Sequence, residues 1–163
     1  MALMRLSHLL HIVTEAQYTW RFGHNKASIG RHTRHVLDHY DSFLRDLPHG
    51  LLSYDCRSRD PVIEQAPRAA TASLTRIINA LTILSLTPTE PVTVSALTDP
   101  SMAPLLVQST IARELTFLQT HTIHHLALMH ILAEIQGISL PADFGHAPAT
   151  SHHEETTKAR ATR

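Results

Sequence analysis

Four histidines lie within eleven residues near the C-terminal end of the chain, in the stretch THTIHHLALMH at residues 120–130. Neutral imidazole is the commonest nitrogen ligand for zinc and for several other transition metals. His121 and His125 are four residues apart, so on a helix their Cβ atoms would be about 5–6 Å apart on one side. Two imidazoles at that spacing can share one metal ion. The spacing therefore predicts half of a metal site.

A second group of histidines occupies another amphipathic segment, SIGRHTRHVLDHYDSFLRDL. His32, His35 and His39 are spaced three and four residues apart and border the apolar side of a predicted helix. Helix bundles assemble metal sites from side chains on facing helices. A third imidazole from this segment would complete a three-histidine site with an open position, which is typical of catalytic rather than structural metal sites. We expect His32 and His39 to be polar residues at the edge of the bundle, with an alternative metal ligand and a proton shuttle as the other roles.

Two carboxylates lie close to these histidines in the sequence. Asp38 directly precedes His39, and Glu114 lies upstream of His121 on the same predicted helix. A buried imidazole that binds a metal needs a hydrogen-bond partner for its second nitrogen, and a carboxylate often provides it. Either residue could therefore orient a metal ligand. Solvated surface positions for both are equally compatible with the sequence.

The segment YDCRSRD combines charged and hydrogen-bonding residues between two predicted helices. A guanidinium group presents a planar fork that binds a carboxylate or a phosphate. An arginine–aspartate network that fixes the loop to the rest of the domain is the structural alternative. The candidate substrate-binding residues are Tyr54, Asp55, Arg57, Arg59 and Asp60.

The elements that must position these residues are predicted to be helical. Apolar residues at three-and-four spacing predict helices over about 3–20, 29–47, from 62 or 67 to 84, and 105–136, with Ser28 as the N-cap of the second. The segment TPTEPVTVSALTDPSMAP, with four prolines in eighteen residues, predicts a long crossover with a short extended piece at 92–95. We therefore expect an all-α four-helix bundle with a long crossover before the last helix. It forms a single domain over 1–149, followed by a polar, disordered tail over 150–163.

Composition excludes several classes of protein. The 14 basic and 14 acidic residues balance, so no excess positive charge favours nucleic acid. The single cysteine excludes an intramolecular disulfide and suits a reducing cytosol. No apolar run approaches the roughly 18 residues of a membrane span, and the N-terminal segment is amphipathic rather than a signal peptide. We expect a cytoplasmic protein that binds neither nucleic acid nor membranes.

The two histidine segments together resemble the DinB-like superfamily of four-helix metal proteins, which share the YfiT-like fold. SIGRHTRHVLDHYDSFL is similar to the family's second helix, and RELTFLQTHTIHHLALMHIL is similar to its last. The resemblance implies a metal ion held by His35, His121 and His125, with His124 at the position of a frequent extra histidine. One branch of the family also carries a YDxRxRD segment. The chain departs from the commonest pattern in having LALMH after the last ligand, where many members have Arg-Gly-Gln.

The resemblance also implies a class of chemistry. Characterised members include thiol S-transferases that use bacillithiol or mycothiol, and the first domain of ergothioneine-synthesising enzymes. We therefore expect one divalent metal ion, zinc or nickel with iron and manganese as alternatives, that activates a thiol or water for transfer or hydrolysis. The expected partners are a small-molecule substrate such as a low-molecular-weight thiol, and a second copy of the chain in a homodimer. The alternative is a non-catalytic bundle whose metal is structural or sensed.

Overall fold

Helices make up most of the fold. The computed structural model describes residues 2–24 and 26–161. None of the helices in these ranges has the length and apolar composition needed to cross a membrane. In chain order the helices are α1 (Ala2–Ile12), α2 (Glu15–Thr19), α3 (Ile29–Asp46), α4 (Pro61–Gln65), α5 (Pro67–Ile83), α6 (Ile111–Ile135) and α7 (Pro148–Ala161), with a 3-10 turn at Leu47–His49.

Four of these helices surround one hydrophobic core. Helix α3 packs against α5 and α6, and α1 packs against the same two helices. Each contributes fully buried side chains, such as Leu6 from α1, Phe43 from α3, Ile77 from α5 and Leu126 from α6. The prediction of a mainly helical fold is confirmed. The contact between α3 and α6 matters most for function, because these helices carry the two groups of histidines.

A three-stranded sheet corrects the all-α prediction. Its strands are β1 (Leu51–Leu52), β2 (Pro91–Ala96) and β3 (Leu105–Thr110), in the order β1-β2-β3. Strand β1 pairs with β2 in parallel, and β2 forms an antiparallel hairpin with β3. The crossover before α6 is therefore a hairpin whose backbone groups pair with each other. The predicted extended piece at 92–95 lies within β2.

The helix boundaries differ from the predicted ones where a capping residue or a proline interrupts the apolar pattern. Thr14 divides the first predicted helix, because its side chain accepts a hydrogen bond from the backbone of Gln17 and starts α2. Thr110 caps α6 in the same way, so this helix begins six residues after Leu105. Of the two predicted starts of the third helix, the structure has the one at Pro67, because Ala66 has the extended backbone that the following proline requires and separates α5 from the short α4.

The start of α3 was predicted correctly. The hydroxyl of Ser28 accepts a hydrogen bond from the backbone N–H of Arg31 at 3.0 Å. Two residues into the helix, Gly30 lies directly beneath α4: a Cβ atom there would be 2.1 Å from the carbonyl oxygen of Glu64 and 2.8 Å from the ring of Tyr18. This close approach holds α4, and with it the end of the YDCRSRD segment, against the helix that carries three histidines.

The C-terminal segment forms a helix where the polar composition led us to expect a disordered tail. Helix α7 spans Pro148–Ala161, and the last two residues of the chain lie outside the described residues. The single-domain boundary at residue 149 stays a prediction.

Candidate metal site

Five histidines converge where α3 faces α6, and His35 lies at their centre. Its ring centroid is 4.5 Å from that of His39, 5.0 Å from that of His121 and 4.6 Å from that of His125. The rings of His39 and His121 are closer still, with centroids 4.2 Å apart. His32 completes the group through its contact with His125. The packing of two helices therefore unites histidines that are far apart in the sequence.

Three of these residues place their ring nitrogens around one small space. His35, His39 and His121 each offer a nitrogen that lies within 4.8 Å of those of the other two. His39 is buried, and its Nδ1 donates a hydrogen bond to the backbone carbonyl of His35 at 2.7 Å. This bond fixes the tautomer and leaves the lone pair of Nε2 available, as is usual for a metal ligand. His39, considered from the sequence as an alternative ligand, thus belongs to the cluster.

His125 lies beside this group and is held by His32. Its ring centroid is 4.6 Å from that of His121 as well as from that of His35. Its Nδ1 is 2.9 Å from Nδ1 of His32, so one of the two nitrogens donates a hydrogen bond to the other. The Nε2 atom of His125 takes no part in this bond. His39 has a ring nitrogen within 4.8 Å of those of both His35 and His121, whereas His125 lies outside this group of nitrogens and only its ring contacts theirs.

The cluster fits a divalent metal ion. Nε2 of His121 is buried and has no hydrogen-bond partner among the residues that the structure describes. A buried polar atom without a partner costs about 1–3 kcal/mol, so such atoms are uncommon in folded proteins. A metal ion bound by this nitrogen would remove that cost. An all-imidazole donor set suits zinc, nickel, iron or copper better than magnesium or calcium, which prefer oxygen ligands.

The cluster is uncharged at neutral pH. Burial lowers the pKa of His35 to about 3, that of His121 to about 4 and that of His125 to about 2, and the neighbouring histidines add to each shift. Burial also lowers the pKa of His39 and of His32. Imidazole binds a metal only in its neutral form. The site therefore holds its ligands in the protonation state that binding requires.

Both candidate carboxylates are buried, and among the residues that the structure describes neither forms a hydrogen bond to a histidine. The Asp38 carboxylate accepts a hydrogen bond from Arg34 at 2.8 Å. Glu114 is fully buried and accepts hydrogen bonds from Tyr54, Ser109 and Arg113. The solvated alternative is thus wrong for both residues. His124, the extra histidine of the pattern, is exposed, with its ring 5.2 Å from that of His125.

Two aromatic rings form a wall of the site, and only one of them was predicted to belong to it. The ring of Tyr54 stacks on His39 with centroids 5.7 Å apart, and Phe117 stacks on His121 at 5.6 Å. Glu114 is linked to the cluster through Tyr54, because its carboxylate accepts a hydrogen bond from the Tyr54 hydroxyl at 2.9 Å. The sequence held one signal for Phe117, since it precedes His121 by one helical turn on the same side of α6.

The acidic residues and the arginines of the YDCRSRD segment make different contacts. Its acidic residues bind backbone amides: Asp55 accepts from Leu97, and Asp60 accepts from Val62 at the start of α4, each at 2.9 Å. Its arginines, Arg57 and Arg59, line a cavity of about 440 Å³ that also touches His35 and His125. The loop is fixed to the end of α3 by a different arginine–aspartate pair: Arg45 donates to the carbonyl of Cys56, and Asp46 accepts from the backbone N–H of Ser53.

A family comparison agrees with this site. The family model of the DinB superfamily matches residues 1–129, a region that runs from α1 into the last part of α6. All five clustered histidines lie within the matched residues. No curated protein and no solved structure matches the chain. Since the matched region covers well over half of its length, the chain belongs to the DinB superfamily.

Proposed function

We propose that this protein is a metal-dependent enzyme whose α3 and α6 hold one divalent metal ion through His35, His121 and His125. The observation that carries the proposal is the buried, unpartnered Nε2 of His121, which lies in a cluster of neutral imidazoles. Membership of the DinB superfamily supports it. We propose zinc or nickel as the ion, with iron and manganese as alternatives. In this proposal α1, α3, α5 and α6 are the four helices of the family's bundle.

The proposed reaction is the transfer or hydrolysis of a small molecule, with a low-molecular-weight thiol as the leading substrate. A bound divalent ion acts as a Lewis acid and lowers the pKa of a thiol or a water molecule towards neutrality. The chain's own residues orient and shield the site. The carbonyl of His35 fixes the tautomer of His39, and the rings of Tyr54 and Phe117 limit the access of water. A cytoplasmic location and a homodimer remain predictions.

Metal analysis of a matched pair of variants tests the site. Protein purified without chelators or a nickel column is expected to contain about one equivalent of a divalent metal. His121→Ala is expected to lose it, because this change removes the nitrogen that has no other partner. His124→Ala is the control, since this exposed neighbour lies on the same helix and should leave the metal content unchanged. Equal metal content in all three proteins would overturn the proposal.

A structural or sensed metal is the second candidate, and one observation favours it. His39 is near enough to His35 and His121 to act as a fourth ligand, and four protein ligands would close the site. Cobalt-substituted protein distinguishes the two candidates through its visible spectrum. A spectrum that changes when azide or a small thiol is added indicates an open position and favours the enzyme. An unchanged spectrum favours the structural or sensed metal.

A further inference from the structure

The cavity beside the histidine cluster has an unusual lining. It measures about 440 Å³ and is bounded on one side by His35 and His125. The rest of its polar wall consists of His32 and of four arginines from α3 and from the YDCRSRD segment, namely Arg31, Arg34, Arg57 and Arg59. None of the described residues that line it is acidic. A molecule that reaches the proposed metal site through this cavity passes these guanidinium groups.

The positive charge of this wall is only partly neutralised by the protein. Arg34 pairs with the carboxylates of Asp38 and Glu64, at 2.8 and 3.0 Å. In the part of the chain whose side chains are described, no carboxylate oxygen lies within 4.0 Å of Arg57 or Arg59. Two guanidinium groups thus face the cavity without a direct ion pair among the described residues, while the carboxylates of Asp38 and Asp55 act on Arg57 from a greater distance.

The side chain of Arg57 is half-buried, and part of its hydrogen-bonding capacity is unused among the described residues. Its Nη1 donates to the backbone carbonyl of Tyr54, while its Nε is buried without a hydrogen-bond partner among the described residues. Burial, together with the charge of Arg59, lowers the pKa of Arg57. Keeping a partly buried guanidinium near a second one is unfavourable unless an anion binds to both.

The backbone of Arg59 adds a second unfavourable feature. Its φ angle of 53° lies in the left-handed region, which a residue with a Cβ atom seldom adopts. Such strain persists where the surrounding structure requires it. The turn at Arg59 sends the chain towards α4, which Gly30 allows to pack closely on α3. The loop is thus held in a conformation that keeps both arginines on the cavity.

We propose that this cavity binds the carboxylate or phosphate group of a small-molecule ligand, with Arg57 and Arg59 as its oxyanion-binding residues. Guanidinium groups bind such oxyanions through paired N–H donors in one plane. Binding at this cavity requires no metal. That the bound oxyanion belongs to the substrate rests on the function proposed above, since the cavity borders His35 and His125. The substrate class is then an acidic small molecule rather than a neutral or cationic one.

An NMR titration of the metal-free, chelator-treated protein tests this inference. Inorganic phosphate and succinate are added separately while the arginine Nε–H signals are recorded. We expect the Nε–H signal of Arg57 to shift, because an anion bound at its guanidinium group changes the electrostatic surroundings of this proton. Arg57→Gln and Arg59→Gln are each expected to weaken binding by about tenfold, as the loss of one charged hydrogen bond predicts. Arg68→Gln, which removes an exposed arginine of α5 away from the cavity, should bind as the unchanged protein does.

The outcomes separate this inference from the metal proposal. Saturable binding that both cavity variants weaken supports the inference, and the tighter of the two probes identifies the ligand group as phosphate or carboxylate. Absence of binding by both probes would overturn it, as would equal weakening by Arg68→Gln. Because Arg59 is exposed, its variant stays informative even if Arg57→Gln fails to fold. His121→Ala should bind both anions normally, so failure of the metal proposal leaves this result unaffected.

Discussion

The roles of individual histidines depend on which ring nitrogen each one has available. His39 uses Nδ1 for the carbonyl of His35, and His125 uses Nδ1 for His32. Each is left with an Nε2 atom, so the two residues compete for the third position of the proposed site. His39 is a turn away from His35 on α3, just as His125 is a turn away from His121 on α6. Spacing alone cannot decide between two such pairs.

We predict that the third ligand is His125. His125→Ala is expected to lower zinc affinity by at least about a hundredfold, because it removes a bond to the metal together with the partner of His32. His39→Ala should lower it by about tenfold or less, as expected for a residue next to the metal but not bound to it. Competition titration with a chromogenic chelator measures both affinities. The reverse order would assign the position to His39.

Tyr54 is predicted to contribute more to stability than its exposure suggests. Tyr54→Phe removes the hydroxyl that donates to the fully buried carboxylate of Glu114. Hydrogen bonds to charged groups contribute about 1.5–3 kcal/mol, against about 1 kcal/mol for neutral pairs. Tyr40→Phe is the matched control, since its hydroxyl pairs with the neutral hydroxyl of Thr122. Urea unfolding should show the larger loss in Tyr54→Phe, and equal losses would contradict this account.

At the scale of secondary structure, the sequence predicted what depends on local pattern. The N-cap at Ser28 and the one-sided histidine spacing on α6 follow from neighbours in the chain, and both are found in the structure. The β2–β3 hairpin was missed because the run of Leu105 to Val107 is apolar and continues into a true helix. A short apolar run does not distinguish a strand from a helix. Its pairing with β2 is what identifies this run as a strand.

The same limit applies to the site. Asp38 and Glu114 were correctly singled out near the histidines, yet their partners are an arginine and a tyrosine. The contact between Arg34 and Asp38 follows the four-residue spacing of one helix, whereas the contact between Glu114 and Tyr54 joins two different elements, which no spacing rule contains. Arg57 and Arg59 were recognised as possible anion ligands, but their lack of carboxylate partners follows from where the loop places Asp55 and Asp60.

Gly30 gives a prediction about how the elements pack. Alanine in place of glycine normally stabilises a helix by about 1 kcal/mol. Here the new Cβ would be 2.1 Å from the carbonyl oxygen of Glu64, so α4 would have to move away from α3. We expect Gly30→Ala to lower the free energy of unfolding by about 1–3 kcal/mol, the usual cost of overpacking. Denaturant unfolding measures it, and a stabilised variant would show that α4 packs differently.

For the molecule as a whole, the histidine cluster that is proposed to bind the metal is expected to lower the stability of the metal-free fold. The core between α3 and α6 would be more stable with apolar residues, since five imidazoles bring polar nitrogens into it and one of these lacks a described partner. A bound metal would reverse this balance, because a ligand that binds only the folded state stabilises it. The free energy of unfolding should therefore be lower for the metal-free protein than for the metal-bound protein.

Acid should destabilise the metal-free protein through this cluster. The folded-state pKa values of His35 and His121 are about 3 and about 4, whereas an unfolded histidine titrates near 6.5. Between these values the unfolded chain binds protons that the folded chain does not, so the free energy of unfolding falls as the pH falls below about 6.5. Urea unfolding in the presence of a chelator at several pH values between 7.5 and 4.5 measures this dependence. His121→Gln should reduce the slope, and His124→Gln, an exposed control, should retain it; equal slopes in the two variants would mean that the cluster does not control acid stability.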